Sequence, residues 1–375
     1  MKAAEKLRKL RKELNDIVVE RETQIDAMLA ALIAGVHILL LGPPGTAKSM
    51  LANLLCASIE GTNFFQWLLS KFSTPEELFG PISMSGLKKD QYTRVTTGKM
   101  PEAHISFLDE IFKANSAILN SLLTLINERK FHNNGKPVDV PLLMCVGASN
   151  ELPQGEELGA LYDRFLLRFW TDYIENDDVF IDLVDPNGNV GKGKPETAMT
   201  LDEIEELRKA LSTIKVPRDI LENIREINRD LKNSGIVASD RRWKAAVHTL
   251  RAFALLDGRN EVTGEDLERL ADMMWDRPEN KRKILEILAP YGNPLNLKAS
   301  EYLDAAQEIF NNWNKDKADD SDDAKALQAN GMLKEILKKI DADLDGRPDS
   351  MTRKLRQTRE AVAKMREQVV SSIDL

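Results

Sequence analysis

The segment GPPGTAKS, residues 42–49, is the part of the sequence best suited to chemistry. It follows an apolar run, Val36 to Leu41, and precedes a stretch whose apolar residues have helical spacing. A glycine-rich bend between a strand and a helix directs backbone amides and the positive end of the helix dipole at a phosphate group. Lys48 would reach the β- and γ-phosphates, and Ser49 would ligate Mg²⁺.

This loop departs from the general GxxxxGK[ST] pattern at one position, because Ala47 stands where the second glycine belongs. An alternative interpretation is a proline-glycine turn before a helix that carries an exposed lysine. If the loop binds a nucleotide, the residues predicted to contact it are Gly42, Pro43, Pro44, Gly45, Thr46, Ala47, Lys48, Ser49 and Met50.

A second candidate site is the segment HISFLDE, an apolar run that ends in two carboxylates. Asp109 is predicted to hold Mg²⁺ through water, and Glu110 is predicted to orient and polarise the attacking water molecule. The alternative is an ordinary solvated strand end. Because these carboxylates follow a phosphate-binding loop in the same alternating pattern of strands and helices, we favour a hydrolytic site.

Three further polar positions are candidates for contacts with the nucleotide. Asn150 ends a third apolar run and could bind the γ-phosphate or the attacking water, although a turn or helix cap is the alternative. Arg164 and Arg168 are four residues apart and would share one face of a helix. Either could be an arginine finger directed at a neighbouring subunit's nucleotide; the alternative is ordinary surface ion pairing.

The segment SDRRW predicts a helix start in which Ser239 or Asp240 is the cap. Arg241 and Arg242 then fall in the first helical turn, where the helix dipole disfavours cations. Their position suggests an anionic partner, either a nucleotide phosphate or a carboxylate of the same chain.

The pattern of elements indicates an α/β fold. Short apolar runs alternate with helical stretches, which is typical of a parallel sheet with helices on both faces. A helical stretch before Gly35 opens the chain, and two hairpins are expected, in SMSGLKKDQYTRVTTG and, with a stronger turn signal, in RKFHNNGKPVDV. The predicted divisions are an αβα domain at 1–185, a linker at 186–200, and helical regions at 201–292 and 293–375.

Composition limits the classes of partner. A formal net charge of −8 disfavours nucleic-acid binding unless a local basic patch exists. The two cysteines have no metal or redox spacing, and no apolar run is long enough to be a signal peptide or a membrane span. A cytoplasmic protein is therefore expected.

Six segments of the sequence together resemble the MoxR family of AAA+ ATPases, most closely its RavA group, over about residues 20–290. They are GPPGTAKS, FSTPEELFGP, ISFLDEIFKANSAILNSLLTLINER, GASNELP, ALYDRFLLRFW and SDRRW. The resemblance implies a P-loop αβα AAA+ domain, an all-α lid and a C-terminal helical extension. It also implies a homo-oligomer, a hexameric ring that hydrolyses ATP with Mg²⁺ between subunits. By matching motif, Asn150 would be sensor 1, Arg164 the finger with Arg168 as the alternative, and Arg241 sensor 2 with Arg242 as the alternative.

The resemblance further implies a partner with a von Willebrand factor A domain and a chaperone-like role in protein remodelling or metal-cofactor insertion. The region after residue 296 has no strand-rich segment of the kind that RavA inserts there, so a partner bound through that segment is not expected. Alternatives are a chelatase motor subunit, a nucleic-acid-dependent AAA+ machine, and a module that senses ATP without cleaving it.

Overall fold

The computed structural model describes residues 2–185, 190–316, 323–347 and 349–372. The chain forms two compact units, Met1–Ile284 and Leu285–Leu375. Residues 186–189 of the predicted linker lie outside the described residues. The predicted boundaries within the first unit, at residues 185 and 201, stay predictions.

A parallel five-stranded sheet lies at the centre of the first unit, in the order β3-β4-β7-β1-β8. All five residues of β1 are buried, because helices cover both faces of the sheet, and all of them except His37 are apolar. The strands are β1 (His37–Leu41), β2 (Ile59–Glu60), β3 (Phe64–Leu68), β4 (Ile105–Asp109), β5 (Lys130–Asn133), β6 (Lys136–Asp139), β7 (Met144–Ser149), β8 (Phe165–Trp170) and β9 (Met199–Thr200).

The helices of the first unit begin at residue 2, and the last of them crosses the boundary at Ile284 and ends at residue 288. They are α1 (Lys2–Ile17), α2 (Glu22–Ala34), α3 (Lys48–Ala57), α4 (Pro75–Phe79), α5 (Met84–Leu87), α6 (Ser116–Glu128), α7 (Glu156–Tyr162), α8 (Asp177–Val184), α9 (Leu201–Ala210), α10 (Arg218–Asn233), α11 (Asp240–Leu256), α12 (Gly264–Leu267), α13 (Ala271–Met274) and α14 (Asn280–Leu288). The single helical stretch expected before Gly35 is therefore two helices. Gly35 ends the second one with φ 69°, and its N–H bonds to Ala31 O.

One of the two expected hairpins is present. Strands β5 and β6 pair in antiparallel fashion, and the turn residues Asn134 and Gly135 have φ values of 54° and 70°. The prediction of the other hairpin is wrong. Its segment forms the short helix α5, and Arg94 makes a single antiparallel bridge with Ile82, which lies just before the segment. The side chain of Ser83 accepts a hydrogen bond from Gly86 N at 3.1 Å and so starts a helical turn instead of a strand.

The second unit contains α15 (Pro294–Asp316), α16 (Asp323–Leu344) and α17 (Asp349–Ser371), which pack against one another. Their shared core includes fully buried residues at seven-residue spacing, namely Leu333 and Ile340 on α16, and Leu355, Val362 and Val369 on α17. Such spacing keeps one apolar face towards the neighbouring helices. Across the described part of the chain, no helix is both long and apolar enough to cross a bilayer.

Candidate nucleotide-hydrolysis site

The predicted site residues of the sheet meet at its carboxyl edge. Strands β4, β7 and β1 are adjacent and parallel, and Leu41 lies opposite Ser149 in the register. Gly42 N donates a hydrogen bond to Ser149 O at 3.1 Å. The phosphate-binding loop, the carboxylates after β4 and Asn150 after β7 therefore follow strand ends that lie side by side.

The loop between β1 and α3 requires positive φ angles, which Gly42, Gly45 and Ala47 adopt. Gly42 has φ 135°, and a Cβ there would lie 2.1 Å from Thr171 O, so only glycine fits. Gly45 has φ 82°, and the space beside it is open. Ala47 also adopts a left-handed conformation, with φ 64°, which costs an L-residue about 1–2 kcal/mol. Ala47 therefore replaces the second glycine of the general motif and still adopts the left-handed conformation of the turn.

Lys48 is almost fully buried within this loop. Its Nζ donates to Gly42 O at 2.8 Å and to Pro43 O at 2.6 Å. Burial lowers the pKa of Lys48, while the carboxylates of Asp109 and Glu110 oppose that shift. Among the described residues no side chain caps the first turn of α3, so its backbone amides are available to an anion.

The acidic pair and Asn150 form a hydrogen-bonded group. Glu110 has a strained backbone with φ 52°, and its N–H donates to Asp109 Oδ1 at 3.0 Å. Asn150 Nδ2 donates to Glu110 Oε1 at 2.9 Å. Lys113 Nζ lies 3.3 Å from Glu110 Oε2, although that buried oxygen makes no well-aligned hydrogen bond within the described residues. One carboxylate oxygen is thus left without a directed partner.

The donor set fits a magnesium ion that is bound together with a nucleotide. Ser49 and Asp109 offer a hydroxyl and a carboxylate, the oxygen ligands that Mg²⁺ prefers. Among the described residues, no three His, Cys, Asp or Glu side chains form a group that could hold a metal ion by themselves. Phosphate oxygens and water would therefore have to complete the coordination, as is usual for Mg²⁺ at phosphate-transfer sites.

An apolar cavity of about 260 Å³ lies directly beside the phosphate-binding loop. It is built from the end of α1, the loop itself and the segment after β8. Its size and lining suit a flat, largely apolar base. Of the residues that line this cavity, the sequence predicted only Gly45, Thr46, Ala47 and Met50. Lining residues that it did not predict include Val18, Val19, Arg21, Tyr173, Ile174 and Phe180.

Arg164, Arg241 and Arg242 lie at the opposite edge of the sheet. Arg164 precedes β8, whose first residue, Phe165, is in register with His37 at the start of β1. Five-residue strands separate this amino edge from the carboxyl edge by about 16 Å. Arg164 and Arg241 border a cavity of about 340 Å³ there. The structure therefore does not bring these arginines to the phosphate-binding loop of the same chain.

Asp163 links the arginines at this edge of the sheet through ion pairs. It forms ion pairs with Arg241 and, at 3.2 Å, with Arg242 Nη2, and its Oδ2 lies 3.6 Å from Arg164 Nη1. Burial acts to raise the pKa of Asp163, but hydrogen bonds and charges from Arg241 and Arg242 lower it below its usual value. Arg242 also donates to Met273 O at 2.6 Å, and burial lowers its pKa to about 10.

Comparison with known proteins supplies the family. A model described as the MoxR domain in the MoxR-vWA-beta-propeller ternary systems matches residues 5–209. The chain belongs to the MoxR family of AAA+ ATPases. A model described as an AAA lid domain matches residues 219–288, which lie inside the helical region predicted at 201–292.

Relatives of this MoxR-family chain include two proteins of Methanocaldococcus jannaschii, the uncharacterized proteins MJ0079 and MJ0812. They are 39% and 37% identical over 307 and 315 residues; the matches cover 82% and 83% of this chain, and 79% and 83% of the relatives. The structural protein ORF618 of Acidianus two-tailed virus is 34% identical over 219 residues, 56% of this chain and 35% of the viral protein.

The fold is also found in a solved structure. The crystal structure of a proposed ATPase from Cytophaga hutchinsonii has a TM-score of 0.62 at 19% identity, and the match covers 78% of this chain and 95% of that one. Together with the lid match, this confirms the predicted fold: a parallel-sheet AAA+ domain followed by helices.

One arginine prediction needs correction in this MoxR-family fold. Arg164 and Arg168 do not share a helical face, because Arg168 lies within β8 and is only 1% exposed. Its guanidinium donates to Trp275 O at 2.5 Å and to Asp276 Oδ1 at 2.9 Å, and it stacks on the ring of Tyr162 at 3.6 Å. A group so enclosed cannot reach a neighbouring subunit, which leaves Arg164 as the candidate finger.

Proposed function

We propose that this MoxR-family chain is an ATPase that uses Mg²⁺ and acts as a motor. The observation that carries the proposal is the convergence of Lys48, Asp109, Glu110 and Asn150 at one sheet edge. In this assignment Lys48 binds the β- and γ-phosphates, Ser49 and Asp109 hold Mg²⁺, and Glu110 polarises the attacking water. Asn150 keeps the carboxylate of Glu110 in position through the bond at 2.9 Å.

The second part of the proposal is a head-to-tail homo-oligomer, most simply a hexameric ring. Arg164 and Arg241 are remote from their own phosphate-binding loop, so they would act on the ATP of a neighbouring subunit. Arg241 is 53% exposed in its side chain, and Arg164 Nε is buried without a hydrogen bond in the described part of the chain. The Arg164 side chain is 20% exposed and borders the cavity at this edge, where its guanidinium would meet a neighbour's phosphate.

The biological role proposed is chaperone-like: protein remodelling or metal-cofactor insertion in the cytoplasm, of the RavA type within the family. The partners would be a von Willebrand factor A domain protein and a β-propeller protein, since the matching family model describes such ternary systems. A chelatase motor is the alternative that shares every site residue. A nucleic-acid-dependent machine is disfavoured by the net charge of −8.

The test is steady-state ATP hydrolysis by purified variants. Glu110→Gln is expected to bind ATP and lose turnover by about a hundred-fold or more, because a general base typically contributes 10²–10⁴ in rate. Lys48→Ala should lose ATP binding. The matched control is Glu222→Gln on the surface of α10, which should behave as the unchanged protein. Turnover that Glu110→Gln leaves unaltered would contradict the role assigned to this carboxylate, and an absence of turnover in the unchanged protein would favour a module that senses ATP without cleaving it.

The shared interface is tested by mixing inactive subunits. Arg164→Ala should reduce turnover with little change in ATP affinity, because the finger contributes mainly in the transition state. Mixed with Lys48→Ala, it should regain part of the activity, since some interfaces then combine an intact loop with an intact finger. No recovery at any ratio would contradict the assignment. Co-purification from native cells would distinguish a chelatase complex from a complex with a von Willebrand factor A domain protein.

A further inference from the structure

A third cavity, of about 390 Å³, lies at the carboxyl edge of the sheet beside the hydrolytic residues. Two of its walls continue directly from those residues, since the segment 112–115 follows Glu110 and the segment 151–154 follows Asn150. The hydrogen bond from Asn150 Nδ2 to Glu110 Oε1 at 2.9 Å joins the two walls. We call this space, which Lys71 also lines, the lysine cavity.

The lysine cavity and the apolar cavity suited to a base lie on opposite sides of the hydrolytic group. The apolar cavity is built in part from the segments after β1 and β8, whereas the lysine cavity is built from segments that follow β3, β4 and β7. In the sheet order β3-β4-β7-β1-β8 they occupy opposite halves of the carboxyl edge. A nucleotide with its base near β8 and its phosphates on the loop after β1 would therefore direct its γ-phosphate towards Glu110 and Asn150.

Hydrolysis in this orientation moves the phosphoryl group towards the lysine cavity. The water oxygen forms a bond to the γ-phosphorus as the bond to the bridging oxygen of ADP breaks, and the two oxygens are roughly in line. In the assignment above, a proton of this water passes to Glu110. Because the water attacks from the side of Glu110, the phosphorus moves away from ADP, and free phosphate is formed on the side of the cavity.

Two lysines give the cavity charges that attract a phosphate. Lys113 Nζ lies 3.3 Å from Glu110 Oε2, and the Lys113 side chain is 41% exposed. Lys71 is exposed and forms no ion pair with any other described residue. Glu151 is the one carboxylate among the described lining residues, so the lining has a small excess of positive charge. Such an excess favours brief binding over tight retention, as a product requires.

The loop after β3 holds Lys71 beside the cavity. Ser70 N donates to Ser73 Oγ at 3.0 Å, which closes the loop on itself. Asn115 Nδ2 donates to Ser73 O at 2.7 Å and so ties this loop to the start of α6. The backbone of Lys71 is therefore fixed relative to the wall that follows Glu110.

We propose that the lysine cavity binds inorganic phosphate as the phosphate leaves the hydrolytic site. This rests on the proposed ATPase function and adds a product subsite to it. Once Glu110 has taken the proton of the water, it is neutral and no longer pairs with Lys113. Lys113 is then free to bind the phosphate, and Lys71 binds it nearer the solvent.

The experiment measures inhibition of ATP hydrolysis by added inorganic phosphate and, separately, by ADP. Lys71→Glu should raise the inhibition constant of phosphate about five-fold, since an attraction becomes a repulsion, and should leave that of ADP within about two-fold. Lys71→Arg keeps the charge and should match the unchanged protein. The control Lys232→Glu makes the same charge change at an exposed lysine of α10 and should alter neither constant.

A rise that is confined to phosphate and to Lys71→Glu supports the proposal. Equal inhibition constants of phosphate in Lys71→Glu and Lys232→Glu overturn it. A parallel rise for ADP also overturns it, because Lys71 would then act on the nucleotide site as a whole. So does a change in the sedimentation of Lys71→Glu, since the cavity would then belong to an interface between subunits.

Phosphate binding is also measured without turnover, as broadening of the phosphorus NMR signal of inorganic phosphate mixed with protein that holds Mg²⁺ and ADP. Broadening that is lost in Lys71→Glu and kept in Lys232→Glu supports the subsite, and equal broadening in the two variants overturns it. A failure of the ATPase assignment would show differently, as an absence of hydrolysis in the unchanged protein.

Discussion

Protonation of His37 provides a quantitative test of how the core is built. The side chain is buried at the start of β1, where Nδ1 accepts from Cys145 N at 2.9 Å and Nε2 lies 3.0 Å from Ile126 O. Burial, together with the charge of Arg129, lowers the pKa of His37 to about 3. The folded protein therefore keeps this imidazole neutral above about pH 3.

The sign of the effect follows from the two pKa values. In the unfolded chain the pKa of His37 is about 6.5. Below that pH the unfolded state takes up a proton that the folded state refuses, so stability is lost as the pH falls from about 6.5 towards 3. At pH 5 the loss is about 2 kcal/mol, since each unit of pH below 6.5 contributes about 1.4 kcal/mol.

The assay is equilibrium urea unfolding at pH 7 and pH 5, for the unchanged protein and for His37→Asn, whose side-chain oxygen can still accept from Cys145 N. The unchanged protein should lose about 2 kcal/mol more between the two pH values than the variant does. Burial also lowers the pKa values of His104 and His248, but both are present in each protein and cancel in the comparison. Equal losses in the two proteins would refute the assignment of a buried neutral imidazole.

Two further predictions concern stability. Asp163→Asn should lower the free energy of unfolding by about 2 kcal/mol, because the buried Arg242 loses its charged partner while Asp163 itself is partly exposed. In the same urea experiment Arg241→Ala should lower it by less than about 1 kcal/mol, and equal losses in the two variants would contradict the prediction. Gly331→Ala should raise stability by about 1 kcal/mol in thermal unfolding, since Gly331 lies within α16 with open space around it. Gly346→Ala, at φ 68°, should lower it, and the same sign for both would count against this reading.

The local part of the candidate site could be predicted because the residues that form it are neighbours in the sequence. Residues 42–49 contain the bend, the lysine and the helix start within one short segment, and the turn at Asn134 and Gly135 depends on two neighbouring residues that tolerate positive φ. The apolar runs that end in Glu110 and Asn150 predicted adjacent strand ends. Strand β3 was missed because the polar Gln66 interrupts its short apolar run, and β8 because Arg164 and Arg168 have a spacing that fits one face of a helix.

The sequence by itself thus determined three of the five strands of the parallel sheet, β1, β4 and β7, together with the phosphate-binding loop and the family. Only the tertiary structure decided which arginines are available. Arg164 and Arg168 look equivalent along the chain, yet one borders an open cavity and the other is enclosed by Trp275 and Asp276, more than a hundred residues away. Burial depends on partners that are distant in sequence, and short motifs carry no information about them.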